Sequence, residues 1–298
     1  MKILLIGKDG QVGWELRRLL PALGEVTSVD RDTCDLTQPT QLRETVQRAS
    51  PQLIVNAAAY TAVDQAESES ALAMAINGQA CELLAAEARR SGAALIHYST
   101  DYVFDGRKRK PYVETDAVNP LSVYGRTKLA GEWAITASGV PHLVLRTSWV
   151  YGLHGRNFLL TMVRLARERP ELRVVADQFG VPNWAAELAR ATTRIIGVAA
   201  ARKGNVQDAI GENSGVFHLS GTGRASWHEF ACTIVGTLSK RGLVPQVPVL
   251  PIATHEYPTP AARPANSVLD GTRLRTAWDT QLPDWKESLA ECLDGFAA

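Results

Sequence analysis

Lys2-Ile3-Leu4-Leu5-Ile6-Gly7-Lys8-Asp9-Gly10-Gln11-Val12-Gly13-Trp14-Glu15-Leu16 decides the fold. The run Lys2–Ile6 is apolar without alternation, as a strand covered on both faces must be. Gly7, Gly10 and Gly13 then punctuate the entry into a helical stretch that starts at Gln11. Glycine lets the chain turn sharply and lets a pyrophosphate approach the backbone, while the helix N-terminus offers unpaired N–H groups and partial positive charge. The spacing is Gly-x-x-Gly-x-x-Gly, so the strand-to-helix context carries the dinucleotide reading more than the glycines themselves.

Outward from this turn, short Val/Ile/Leu-rich runs alternate with helical patterns. Strands are expected at Lys2–Ile6, Glu25–Val29, Gln52–Asn56, Ala93–Ser99 and His142–Arg146, with helices at Gln11–Leu20, Thr40–Ala49, Glu67–Arg90 and Val123–Ser138. Such alternation implies right-handed crossovers and a parallel sheet. Pro39 marks a helix start, and Gly92 stands where a helix C-cap is expected. Beyond about residue 150 the rhythm loosens. Helices are expected at Phe158–Arg169, Ala185–Ala200, Trp227–Lys240 and Trp285–Phe296, and strands at Leu172–Val175, Val216–Ser220 and Gln246–Leu250. Residues 202–214 and 251–263 read as loops. The expected fold class is α/β: a doubly wound, Rossmann-like parallel sheet with a smaller C-terminal α/β substrate lobe. Residues 1–152 form the dinucleotide-binding domain, with segments returning from the second half, and residues 153–298 form mainly the substrate lobe.

The 298 residues carry a formal net charge of +1, with 45% hydrophobic and 21% charged side chains. Disorder and general nucleic-acid binding are both disfavoured, since neither a charge excess nor a basic one exists. The apolar runs are too short for a membrane span or a signal-peptide core. Cys34, Cys81, Cys232 and Cys292 are scattered, with no Cys-x-x-Cys pair, which fits a reducing cytoplasm and argues against a disulfide framework or zinc site. The six histidines are isolated and read as structural or surface residues.

Asp30 lies at the end of the second strand, where an acidic side chain accepts hydrogen bonds from ribose hydroxyls and favours NADH. Arg31 follows and suits a 2′-phosphate, so NADPH stays open; the plain alternative makes both solvated turn residues. Asp35-Leu36 is placed to meet adenine. Tyr124 and Lys128 are one helical turn apart and share a face, a pairing that chance supplies roughly 0.2 times in a chain of this composition. Ser99-Thr100-Asp101 ends the preceding strand, where ligands bind in doubly wound sheets. Hydroxyl, phenol and ammonium together suit carbonyl reduction: Thr100 bonds the carbonyl oxygen, Tyr124 donates a proton as hydride arrives, and Lys128 stabilises tyrosinate. Lowering the phenol pKa by ~3 units takes about 4 kcal/mol.

These motifs resemble the extended short-chain dehydrogenase/reductase family, and within it the dTDP-4-dehydrorhamnose reductase family. The resemblance rests on 7–16, 56–64, Ser99-Thr100-Asp101-Tyr102-Val103-Phe104-Asp105-Gly106, 124–132, 146–151, Asp177-Gln178-Phe179-Gly180 and Arg263-Pro264-Ala265-Asn266-Ser267, and so covers nearly the whole chain. It implies that NADPH or NADH reduces the 4-keto group of dTDP-4-dehydro-L-rhamnose to dTDP-L-rhamnose, a step toward cell-surface polysaccharide. The partner is then a dTDP-linked 4-keto-6-deoxy sugar, with no nucleic acid or membrane, and the assembly a homodimer. By position, Gly7, Gly10, Gln11, Val12 and Gly13 would meet the pyrophosphate, and Ala59, Tyr60 and Thr61 would lie along the coenzyme. Lys128 would hold the nicotinamide ribose. Thr100, Asp101 and Trp149 would meet the sugar, with Asn157, Arg263 and Asn266 on the nucleotide diphosphate. Structural alternatives exist for three positions: core packing for Trp149, backbone satisfaction for Asn56 and a rigid turn for Arg263-Pro264.

Asn183-Trp184 departs from the family pattern, leaving the contacts around Pro182 open. Some relatives bind Mg2+ at a dimer interface through glutamates; Glu15 matches one such position, which leaves the metal open. Thr100 is followed by Asp101-Tyr102, so the Asp-Glu pair of a 4,6-dehydratase is missing. Two other functions remain: a nucleotide-sugar 4-epimerase that retains NAD, and a non-catalytic NAD(P)-binding regulatory subunit resembling the methionine adenosyltransferase β subunit.

Overall fold

The computed structural model describes residues 1–203 and 205–296. Its first half alternates β1 (Lys2–Ile6), α1 (Gln11–Leu19), β2 (Glu25–Val29), α2 (Pro39–Ala49) and β3 (Leu53–Asn56). Next come α3 (Ser70–Met74), a π-helical turn at Ala75–Gln79, α4 (Ala80–Ser91), β4 (Ala94–Thr100), α5 (Val123–Ala137) and β5 (His142–Thr147). Pro39 opens α2 at its first turn, and Gly92 closes α4 in the left-handed conformation at φ 69°, as the sequence leads one to expect.

The second half holds β6 (Val150–Tyr151), α6 (Phe158–Glu168), β7 (Leu172–Val175), β8 (Phe179–Gly180), β9 (Asn183–Trp184), α7 (Ala185–Lys203), α8 (Val206–Glu212) and β10 (Gly215–His218). It ends with β11 (Ala225–Ser226), α9 (Trp227–Lys240), β12 (Val249–Ile252), α10 (Thr272–Trp278) and α11 (Trp285–Asp294). No helix among the described residues is long and apolar enough to cross a membrane.

Six strands form one parallel sheet in the order β10-β5-β4-β3-β1-β2. β1 is followed in sequence by β2 on one side and β3 on the other, so the chain reverses its direction of travel between β1 and β3. That switch point is where a doubly wound sheet opens a ligand crevice at its strand C-termini. One face is covered by α1, α7, α8 and α10 through Leu16, Leu188, Ile195, Ile210 and Trp278. The other is covered by α2, α4 and α5 through Leu42, Val46, Leu84 and Ile135. A separate cluster ties α6, α9 and α11 together through Leu159, Phe230, Ile234, Trp285 and Leu289. β10 joins the main sheet from late in the chain, the kind of returning segment expected.

Several expectations need correction. The single helix expected over Glu67–Arg90 is broken into α3, the π turn and α4. The loop expected over 202–214 is largely helical: α7 runs to Lys203 and α8 follows, burying Val206, Ala209 and Ile210, while residue 204 lies outside the described residues. Its polar composition conceals three apolar residues at helical spacing. The strand expected at Gln246–Leu250 forms at Val249–Ile252, in register with β7.

Candidate active site

The turn after β1 is shaped by Gly7, whose φ of 87° is left-handed and whose missing Cβ would fall 2.7 Å from the Ala58 backbone nitrogen. β1 and the segment after β3 can therefore close on each other at the switch point. Gly10 caps α1 without a side-chain hydrogen bond, so the first amides of α1, at Gln11, Val12 and Gly13, have no capping side chain. This glycine turn at a helix N-terminus fits a nicotinamide dinucleotide's pyrophosphate.

Just after β2, the Asp30 carboxylate lies 2.8 Å from Lys8 Nζ and accepts from the Thr33 hydroxyl at 2.8 Å. The Lys8 bond holds its carboxyl well below the usual carboxylate range. Arg31 is exposed beside it. Asp35 accepts from the Thr37 amide and hydroxyl, both at 2.9 Å, and Leu36 is buried. Tyr60 is held by its backbone, with the amide donating to Asn77 Oδ1 at 2.9 Å and the carbonyl accepting from Asn77 Nδ2 at 3.1 Å. Ala59 is half-buried in the same loop and Thr61 exposed.

Asn77 was not foreseen. It sits in the π turn, is buried, and also donates to Thr127 Oγ1 on α5 at 3.1 Å. One wide turn thereby clamps the loop after β3 to the helix that carries Tyr124 and Lys128. π turns of this kind collect at functional sites.

The Ser122 hydroxyl caps α5 by accepting from the Gly125 amide at 3.1 Å. A Cβ at Gly125 would lie 2.3 Å from the Tyr102 carbonyl oxygen, so glycine lets the start of α5 press against the turn after β4. Tyr124 consequently meets the Tyr102 ring edge-on, with centroids 5.5 Å apart. Thr100, at the end of β4, donates to Asp101 Oδ1 at 3.0 Å. Burial pushes the Asp101 carboxyl up to about 6, opposed by Ser267 and Thr100.

Burial also pushes the Tyr124 phenol up to about 12, with Thr100 working against it. The chain's own groups, without a coenzyme, therefore leave this phenol unacidified. Lys128 is fully buried, and its Nζ is engaged with β4, 2.6 Å from the Tyr98 carbonyl and 3.0 Å from His97 Nε2. Beneath it, Glu132 forms a buried bidentate pair with Arg146, at 2.9 and 2.6 Å, and accepts from Ser99.

Trp149 follows β5 at φ 46°, a conformation costly for a tryptophan. Its ring stacks on Trp227 with centroids 3.5 Å apart and lies against Gly180. Asn183, where the sequence leaves the family pattern, is buried. Its Nδ2 donates to the Ser148 and Val181 carbonyls, and its Oδ1 accepts from the Gly221 amide at 2.7 Å. Together with the Asn183 amide bonded to the Trp149 carbonyl at 3.2 Å, it pins the strained residue.

The remaining sequence candidates are spoken for within the chain. Asn157 caps α6 and donates to Gln11 Oε1 at 3.0 Å. Arg263 is paired to Asp64 at 2.8 Å, and Asn266, buried, donates to the Lys108 carbonyl at 2.8 Å. Arg263 also stands on the wall of a cleft of about 850 Å³, shared with Phe158, Trp227, Arg164, Arg173 and Tyr257. Glu15 lies 3.6 Å from Arg18, and the described residues contain no group of three or more potential metal ligands.

Comparison with known proteins matches the whole chain, residues 1–298, to the model of the RmlD substrate binding domain. The chain is 47% identical over 298 residues to the dTDP-4-dehydrorhamnose reductase of Burkholderia thailandensis, covering 98% of each chain. It is 45% identical over 299 residues to that of Escherichia coli, covering 99% of this chain and 97% of the relative. Among solved structures, the dTDP-4-dehydrorhamnose reductase of Bacillus anthracis in complex with NADP superimposes with a TM-score of 0.89. It is 36% identical, with 99% of this chain and 100% of that chain covered.

Proposed function

Because the chain belongs to the RmlD substrate binding domain family, we propose that it reduces the 4-keto group of dTDP-4-dehydro-L-rhamnose to dTDP-L-rhamnose with NAD(P)H. The observation that carries this reading is the convergence of Thr100 and Tyr124 at the end of β4, in a sheet whose neighbouring switch point carries an uncapped glycine turn.

The nicotinamide coenzyme, when bound, supplies the hydride. Tyr124 gives its phenolic proton to the C4 oxygen, so hydride on carbon and proton on oxygen complete the alcohol. A phenol pushed up by burial is protonated at neutral pH and so carries the proton to be given. The Thr100 hydroxyl orients the carbonyl oxygen, and Trp149, with Trp227 behind it, offers a flat face to the sugar. Arg164, Arg169, Arg173 and Arg263 outnumber Glu171 and Glu256 on the cleft wall, so a nucleotide diphosphate would have to draw Arg164, Arg173 or Arg263 from its carboxylate partner, while Phe158, Trp227 and Tyr257 give the cleft aromatic surface. Residues 1–152 then serve mainly the coenzyme and the later residues mainly the nucleotide sugar. Lys8 pairs with the Asp30 carboxylate, which takes that carboxylate from a ribose hydroxyl and favours NADPH over NADH.

The test follows absorbance at the nicotinamide band with dTDP-4-dehydro-L-rhamnose and each coenzyme. Stoichiometric oxidation, with the higher kcat/KM for NADPH, is the expected result. Turnover of a nucleotide sugar without added reductant would instead mark a 4-epimerase, and coenzyme binding with no turnover a regulatory module.

A further inference from the structure

Five groups behind Tyr124 form a chain of hydrogen bonds whose direction is set at both ends. At one end the Ala58 backbone amide can only donate, and it does so to Asn56 Oδ1 at 3.1 Å. That contact fixes the amide, leaving Asn56 Nδ2 to donate to His97 Nδ1 at 3.1 Å. A neutral ring that accepts at Nδ1 carries its proton at Nε2. His97 Nε2 lies 3.0 Å from Lys128 Nζ, and at the far end Nζ is 2.6 Å from the Tyr98 carbonyl, which can only accept. Lys128 must therefore accept one hydrogen bond and donate another. An ammonium has no lone pair with which to accept; an amine has one.

We infer that the Asn56–His97 pair is a positioning device that holds Lys128 as an uncharged amine, which takes up a proton when the coenzyme binds. The inference rests on reading this crevice as the coenzyme site. A charged Lys128 needs a bare His97 Nε2, which moves the ring proton to Nδ1 against Asn56 Nδ2–H. Turning the Asn56 amide relieves that clash only by setting its NH2 group against the Ala58 amide. With the ring oriented as it stands, every arrangement with an ammonium thus leaves two donors facing each other where water does not reach, since Asn56, His97 and Lys128 are all buried.

The other groups around Nζ do not reverse this. From α4, the Cys81 thiol lies 3.9 and 3.8 Å from the two ring nitrogens and 4.0 Å from Asn56 Nδ2, and burial pushes it up to about 11, so it stays neutral. From α5, Glu132 favours the ammonium, but its carboxylate is committed to Arg146 and Ser99. Tyr124 is protonated at neutral pH. Burial lowers Lys128 and holds His97 neutral, in agreement with the bond directions. A ribose hydroxyl brought to Nζ supplies a further acceptor and draws the nitrogen off His97, so the ammonium becomes the better-satisfied form.

The direct test is the 15N spectrum of the full chain between about pH 6 and about pH 9, with the His97 signals assigned by their loss in His97→Gln. The expected result is a ring bare at Nδ1 and protonated at Nε2 throughout; an Nδ1–H tautomer or a charged ring overturns the inference. Coenzyme titrations with NADH near pH 8, in two buffers of different ionisation enthalpy, give a second reading. Uptake approaching one proton is expected, falling at least twofold in His97→Gln, whose side-chain oxygen can accept from an ammonium. NADH binding without proton exchange overturns the inference while leaving the coenzyme reading intact. Failure of NADH and NADPH to bind removes the coenzyme reading, and the ring spectra still decide the state of the amine.

Discussion

The main sheet and the C-terminal lobe reach the same crevice by different means. On the sheet side, positions follow from backbone rules acting over a few residues: a glycine turn after β1, a serine cap before α5, a hydroxyl at the last residue of β4. On the lobe side, Trp149 holds a left-handed backbone beside Asn183, 34 residues on, which ties Ser148, Val181 and Gly221 together. Local signals therefore place the proposed proton donor, whereas the tryptophan proposed to face the sugar depends on long-range bonds that cost energy to break. The two sides should respond differently to substitution.

Glu132→Ala should show the largest effect on stability. It strands the buried Arg146 guanidinium, and loss of one partner of a buried pair costs about 3–5 kcal/mol. Urea unfolding measures it, and a loss below about 1 kcal/mol would mean the pair behaves like a surface one. Asp101 gives the next effect, and it depends on pH. Its carboxyl ionises near 6 in the folded chain, above the unfolded value, so the contribution is full below about pH 4 and is lost as pH rises through about 6. The span is roughly 3 kcal/mol at most, and Asp101→Asn should flatten the stability profile over that window.

Asn183→Ala should cost about 2 kcal/mol, because the Gly221 amide and the carbonyls of Ser148 and Val181 lose their partner. If the lobe behaves as described, it should also raise KM for the sugar nucleotide far more than KM for the coenzyme; equal changes would break the contrast between the two sides. Asn205→Ala, at the start of α8, should cost only ~1 kcal/mol in thermal unfolding, the usual worth of a helix cap.

How much was legible in the sequence follows the same division. β1, β2, β7 and α9 lie at the expected bounds because their apolar runs and caps are local. Tyr124, Thr100 and the glycine turn were found by spacing and strand context. The π turn escaped notice because Asn77 is recruited by Tyr60 and by Thr127, 50 residues away. α8 was hidden by its polar residues, although Asn205 and Asp208 stand three apart, as a cap and its partner do. The hydrogen bonds of Lys128 are hidden for a related reason. One-turn spacing shows which helix face it shares with Tyr124, but not that His97 from β4 would claim its nitrogen.

The central claim, that Tyr124 is the proton donor for a reduction at this crevice, is tested most directly by Tyr124→Phe. The variant keeps the ring that meets Tyr102 and loses only the hydroxyl. Coenzyme affinity should hold while kcat for NADPH oxidation with dTDP-4-dehydro-L-rhamnose falls about 10²–10⁴-fold; turnover close to that of the unaltered chain would contradict the assignment.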